Sequence, residues 1–402
     1  MFFQLKAADQ QWRPLGFLAA LGSGGLAISF FMYLMFWIPH PNSLIPTFSD
    51  VQAALGSGNP SLMLGTLIGL AGMLFFAINY LRLMIWNVNA LKAFKASSDF
   101  AAFSQSNAHS QLSAAPLAVA MGINLSFAFG AVFIPGLWGM VEWLFPAAIV
   151  AFVLTAIWAV RTYLNFWTGV ISRGGLDCSK NNNLSQILPA FSFAMIGVGL
   201  AAPAAMSNQQ LTVVIASLGA IVLLTAAAIL ALVQLVIGMR ALLQYGATDE
   251  SLPSLMILVP LITLFSIAML RLNHGQQTLS GQELMSGFYL LSLALAAQLF
   301  FVALGLSAQS RLSYWRNWFW GEKKSLNSYA LICPGVALTI LGFFWVNRGL
   351  VPLIDGLELY SLGYWLLTLP FIAVQMATIY GYWHLNHKLL PKAKASTPAQ
   401  AS

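Results

Sequence analysis

Residues 12–38 read WRPLGFLAALGSGGLAISFFMYLMFWI, and no charged side chain follows Arg13 within them. At about 1.5 Å per residue, such a run reaches across the roughly 30 Å of hydrocarbon in a bilayer. Pro14 stands at its start, where a missing backbone N–H costs a helix nothing. Lys6 and Arg13 precede the run as they would a secretory signal. It is too long for a signal core and shows no small-residue cleavage site, so it reads as a retained first span.

Outward from this stretch the same grammar repeats. Apolar runs between polar punctuation fall near 14–38, 60–86, 116–138, 141–172, 189–206, 211–240, 253–272, 282–306, 328–347 and 357–384. Across all 402 residues, 59% are apolar and 7% charged, whereas a soluble domain carries about a quarter charged residues. There is not enough charge to cover a water-facing exterior, so lipid covers it. The chain reads as an all-α integral membrane protein, with residues 1–387 as a single ten-helix transmembrane domain and 388–402 as a disordered cytoplasmic tail.

Lys and Arg concentrate in cytoplasmic loops. With the N-terminus inside, every one of the 18 Lys and Arg residues except Arg271 and Arg348 falls on the cytoplasmic side. One missed span would invert each later loop and destroy that asymmetry. The reading is therefore a multi-pass protein of a bacterial inner membrane with both termini cytoplasmic. The net charge of +7 is accounted for by this bias and by attraction to anionic lipid, and calls for no nucleic acid.

Odd-numbered spans each start near a proline: Pro14, Pro116, Pro189, Pro253 and Pro334. The chain thus divides into five helical hairpins of one orientation, which an axis along the membrane normal relates. If the prolines mark equal depths, nine residues later each odd helix reaches mid-bilayer. Those positions are Ser23, Leu125, Val198, Ile262 and Phe343, with Phe344 beside the last. Gly22, Gly24 and Gly25 flank Ser23 and let backbones approach or a pathway widen. Arg271 and Arg348 are expected to end the seventh and ninth helices at an outer mouth, where basic side chains raise the local anion concentration or snorkel to headgroups.

None of the eleven carboxylates lies mid-span, which weakens a proton relay or an acid-lined cation path and leaves room for an anion. Cys178 and Cys333 sit at cytoplasmic ends, against a disulfide framework or thiolate cluster. His384 and His387 stand at helical spacing without an acidic or cysteine partner, and His40, His109 and His274 fall at loops or span ends. No metal and no cofactor is expected, and no convergence of ionisable residues points to an enzyme.

The opening Trp12-Arg13-Pro14-Leu15-Gly16-Phe17 with Gly22-Ser23-Gly24-Gly25-Leu26, together with the five proline-led spans, resembles the tellurite-resistance/dicarboxylate transporter family, which includes the slow anion channels of plant guard cells. The likeness covers nearly the whole chain in architecture, with low motif identity and longer loops at Pro39–Pro60 and Asn87–Ala115. The resemblance implies five hairpins in a quasi-five-fold ring, odd helices lining a central pore, and a homo-trimer. It also implies a ninth-helix phenylalanine closing the pore, which Phe343 matches. The substrates it implies are small anions: a halide, nitrate, a sulfur, selenium or tellurium oxyanion, or a dicarboxylate. The alternatives are a secondary carrier of a neutral or sulfur-containing solute and a non-catalytic membrane subunit of a larger complex.

Overall fold

The computed structural model describes residues 12–173, 183–282 and 285–390, and among these every regular element is helical. Ten helices are long and apolar enough to cross a bilayer. Their α-helical parts are α1 (Phe17–Trp37), α2 (Pro60–Lys95), α3 (Ala114–Phe133), α4 (Val141–Arg173), α5 (Leu188–Met206), α6 (Gln210–Tyr245), α7 (Leu258–Ser280), α8 (Gly287–Arg311), α9 (Ile332–Phe344) and α10 (Leu362–Leu389), the ninth crossing with its flanking turns as Leu326–Leu350.

Burial divides them into two sets. In the most apolar window of the spans containing α1, α3, α5, α7 and α9, between 56% and 94% of residues are buried; in those of the even-numbered helices the share is 17% to 33%. A helix apolar on every side is stable either at the centre of a protein or in lipid. Here the odd helices take the first course and the even helices the second. Leu64, Leu67, Leu81 and Ile85 of α2 are exposed, as are Leu218, Val222, Leu232 and Val236 of α6. Apolar surface this extensive faces hydrocarbon.

Contacts follow the same division. α1 packs on α3, α3 on α5, α5 on α7, α7 on α9, and α9 back on α1. Each odd helix also packs on the even helix that follows it. The pairing of α1 with α10 includes a buried polar chain: Tyr33 donates to Gln375 Oε1 at 2.5 Å, and Gln375 Nε2 donates to Ser29 Oγ at 2.9 Å.

Every odd helix is preceded by a 3-10 turn: Pro14–Gly16, Asn107–Ser113, Ser185–Ile187, Asp249–Met256 and Leu326–Leu331. These turns are neighbours in space, the first touching the second and fifth, the second touching the third, and the fourth touching the fifth. Leu184 N–H donates to Ser254 Oγ at 3.1 Å, joining the third to the fourth.

Several boundaries move outward from those expected. α2 continues to Lys95 and α6 to Tyr245 because hydropathy marks only the part of a helix in lipid. Lys92 and Lys95 in the last turn of α2 favour the negative end of the helix dipole. The stretches expected as long loops contain further helices, Phe48–Leu55 and Asp99–Ser104. α10 includes Lys388, which the sequence had assigned to the tail; residues 391–402 lie outside the described residues, as do Lys6, Cys178 and Glu283.

Candidate functional site

The five odd helices surround a cavity of about 500 Å³. One face of each supplies the wall: Gly25, Ile28 and Met32 from α1; Met121, Asn124 and Ala128 from α3; Met195 and Val198 from α5; Thr263, Ile267 and Arg271 from α7; Val336, Ile340 and Phe344 from α9. Leu44, Ile45, Met285 and Pro352, beyond the C-terminal ends of the odd helices or in the segments joining them to the even ones, complete one end. Arg348, in the π-helical turn Trp345–Leu350 that continues α9, stands exposed there.

The polar lining is basic and neutral. Arg271, Arg348, His274, Asn124, Asn273 and Thr263 are present, and no Asp or Glu stands among the lining residues. Arg271 does not end its helix, since α7 runs on to Ser280. Helical side chains lean toward the N-terminus of their helix, and Arg271 reaches back so that Nη1 donates to the Val198 carbonyl oxygen of α5 at 2.7 Å. The guanidinium therefore lies deeper than an outer rim. Among the described residues no ion pair neutralises it. An unneutralised cation in an apolar wall is costly, and a bound anion would relieve that cost.

The residues singled out by counting from the prolines separate into two groups. Val198, Gly22, Gly25, Phe344, Arg271 and Arg348 line the cavity; Ser23, Leu125, Ile262, Gly24 and Phe343 do not. Ser23 points toward α2, donating to the Phe76 carbonyl oxygen at 2.8 Å. Gly24 lies against Met121 and Tyr80, where an added Cβ would come within 2.8 Å of Met121 Cγ. Leu125 is buried beside Asn124, which is the residue that lines. Ile262 packs at the α7–α8 side, next to the lining Thr263.

Phe343 is fully buried behind the wall. Its ring centroid lies 5.5 Å from Tyr33, 6.5 Å from Phe36 and 6.1 Å from Trp37. That cluster is tied by hydrogen bonds from Trp37 Nε1 to Tyr364 Oη at 2.9 Å and from Tyr364 Oη to Asn347 Oδ1 at 3.1 Å. The aromatic side chain of α9 that reaches the cavity is Phe344.

Facing, which a count from the prolines does not fix, separates the two groups. Pro14 and Pro253 sit within lead-in 3-10 turns, whereas Pro116, Pro189 and Pro334 lie inside the first turn of the α-helix. A 3-10 turn rises about 2.0 Å per residue against 1.5 Å in an α-helix, which shifts the heights by only about 2 Å, whereas a step of one residue rotates a helix by about 100°; Asn124, Thr263 and Phe344, each one residue from a counted position, are the ones that line. Of the polar side chains within the odd spans, Asn124, Thr263 and Arg271 line the wall, whereas Ser23, Ser29, Ser192 and Thr339 do not. Asn124 donates to the carbonyl oxygens of Ala120 at 2.9 Å and Met195 at 3.4 Å, a placement lipid would not tolerate.

No protein-family model, curated protein or solved structure matches the chain. Among the described residues no group of three or more His, Cys, Asp or Glu side chains could hold a metal ion.

Proposed function

We propose that this chain is a membrane transport protein that passes a small anion along the axis enclosed by its odd-numbered helices. The observation that carries the reading is a 500 Å³ cavity, walled by five separate spans, whose charged lining residues are Arg271 and Arg348. Apolar walls of low dielectric focus the field of such cations and raise the local anion concentration.

In this reading the five odd helices, each with its following even helix, form five hairpins in a quasi-five-fold ring, as in the tellurite-resistance/dicarboxylate family and the slow anion channels. The circuit of odd-helix contacts and the gathered 3-10 turns support it. The lead-in turns and both termini face the cytoplasm of a bacterial inner membrane, the protein is a channel or carrier rather than an enzyme, and three copies assemble through the lipid-facing even helices. Halides, nitrate, sulfur oxyanions and dicarboxylates are the substrate classes.

A carrier of a neutral or sulfur-containing solute is the second reading, favoured by the thioethers of Met32, Met35, Met121, Met195, Met206 and Met285 in the wall, which suit a polarisable ligand. Uptake of nitrate, chloride, sulfite and malate by liposomes carrying the purified protein separates the two. The anion reading expects uptake of at least one that falls in an Arg271→Met/Arg348→Met double variant. Uptake of none of them, or uptake indifferent to both substitutions, overturns it.

A further inference from the structure

At the end of the 500 Å³ cavity nearer the lead-in turns lies a second, smaller cavity of about 100 Å³. Leu18, Gln111, Asn183, Ser185, Ser254 and Asn327 are among its lining, so all five odd spans or their lead-in segments contribute again. Three residues line both cavities: Phe191, Pro260 and Cys333. They lie in the first turns of α5, α7 and α9.

The lining positions run in unbroken helical stripes through this level. On α5 the stripe is Leu188, Phe191, Met195 and Val198, the first facing the small cavity, the second both, and the last two the large one. On α7 it is Ile257, Pro260, Leu264, Ile267 and Arg271; leading into and along α9 it is Ala330, Cys333, Ala337, Ile340 and Phe344. Steps of three and four residues keep one helix face along one line. The two cavities are thus successive segments of a single line, with Phe191, Pro260 and Cys333 as the partition they share.

We infer that this partition, and the Phe191 ring above all, is the barrier to passage through the protein. Pro260 is rigid and Cys333 is small, so Phe191 is the bulky member that rotation about χ1 and χ2 can move. Nearly all of α5 is buried, so the ring has no lipid face to turn to and moves only between the two cavities. An apolar constriction of this kind blocks ions by sterics and dewetting. Phe343, held behind the wall by Tyr33, Phe36 and Trp37, does not take that part.

The inference rests on the transport reading, and the test keeps the two apart. Liposomes carrying the native protein, Phe191→Ala, Phe191→Leu or Phe343→Ala are assayed for nitrate uptake, each variant first checked for a monodisperse profile in detergent. Removing the ring is expected to raise uptake at least about tenfold in Phe191→Ala, with a smaller rise in Phe191→Leu and no rise in Phe343→Ala. In a Cys178→Ser background, Cys333 then reports access. An impermeant anionic methanethiosulfonate reagent is expected to modify it from at most one side of the membrane when Phe191 is present and from both sides in Phe191→Ala. Two-sided modification with no uptake of any anion upholds the partition and refutes anion transport. A rise in Phe343→Ala alone, or a Cys333 that stays unmodified from either side in a folded Phe191→Ala protein, overturns the partition and leaves anion transport standing.

Discussion

Replacing Arg271 with Met removes the deep cation while keeping an unbranched side chain that fills its channel. Two charges about 8 Å apart at an effective dielectric constant of about 20 attract by about 2 kcal/mol, which is about thirtyfold in affinity. Arg348 is exposed at the cavity's end, where solvent reduces such an interaction to about 1 kcal/mol or less, at most about fivefold. The half-saturating nitrate concentration for uptake is therefore expected to rise about thirtyfold in Arg271→Met and no more than about fivefold in Arg348→Met. Arg271→Lys keeps the charge and is expected to restore most of the loss. Because Arg271 also donates to the Val198 carbonyl, thermal unfolding of each variant in detergent separates lost binding from lost fold. The reasoning is refuted if folded Arg271→Met saturates at the native concentration, or if Arg348→Met is the more damaging change.

Three further outcomes test the packing. Gly275 faces backbone, an added Cβ coming within 2.7 Å of the Ala204 carbonyl oxygen, so Gly275→Ala is expected to cost about 1–3 kcal/mol, read as a lowered unfolding temperature in detergent. Gln375→Leu breaks the hydrogen bonds of Gln375 with Tyr33 and Ser29, leaving Trp37–Tyr364 between the same two helices, and is expected to cost about 1 kcal/mol, the usual scale for polar contacts between spans; unchanged denaturation in a titration with sodium dodecyl sulfate would contradict this. Val222→Lys places a charge on the lipid face of α6, where Val222 is 65% exposed, and is expected to oppose insertion by about 2–3 kcal/mol, seen as a reduced yield in the membrane fraction.

Span number and the lipid-facing character of the chain were legible because hydropathy and loop charge are local properties. Depth within the helix bundle was legible only approximately, because it depends on the backbone between elements. The 3-10 turn before α7 runs from Asp249 to Met256, while that before α1 spans Pro14–Gly16, and nothing in a proline count announces the difference. Facing was half legible: Gly22 and Gly25 reach the cavity while Ser23 and Gly24 turn to neighbouring helices. Arg271 was visible as a lone cation but not as a deep one, since its reach to Val198 is tertiary. Attention to carboxylates alone passed over Asn124 and Thr263, whose amide and hydroxyl are equally out of place in lipid.

Each central helix of this protein is entered through a 3-10 turn. α9 is entered through a 3-10 turn and left through a π turn, and only Ile332–Phe344 between them is α-helical. α2 and α6, half bare to lipid, run 36 residues each without such turns. The usual tie between depth and amide protection is consequently broken here. Backbone hydrogens at the ends of the central helices, held by poorer geometry, should exchange with deuterium before those in the middle of the outer helices, although the outer ones are nearer the surface. Two of the peripheral helices are continuous staves of 36 residues, and the central ones carry a 3-10 turn at each entrance.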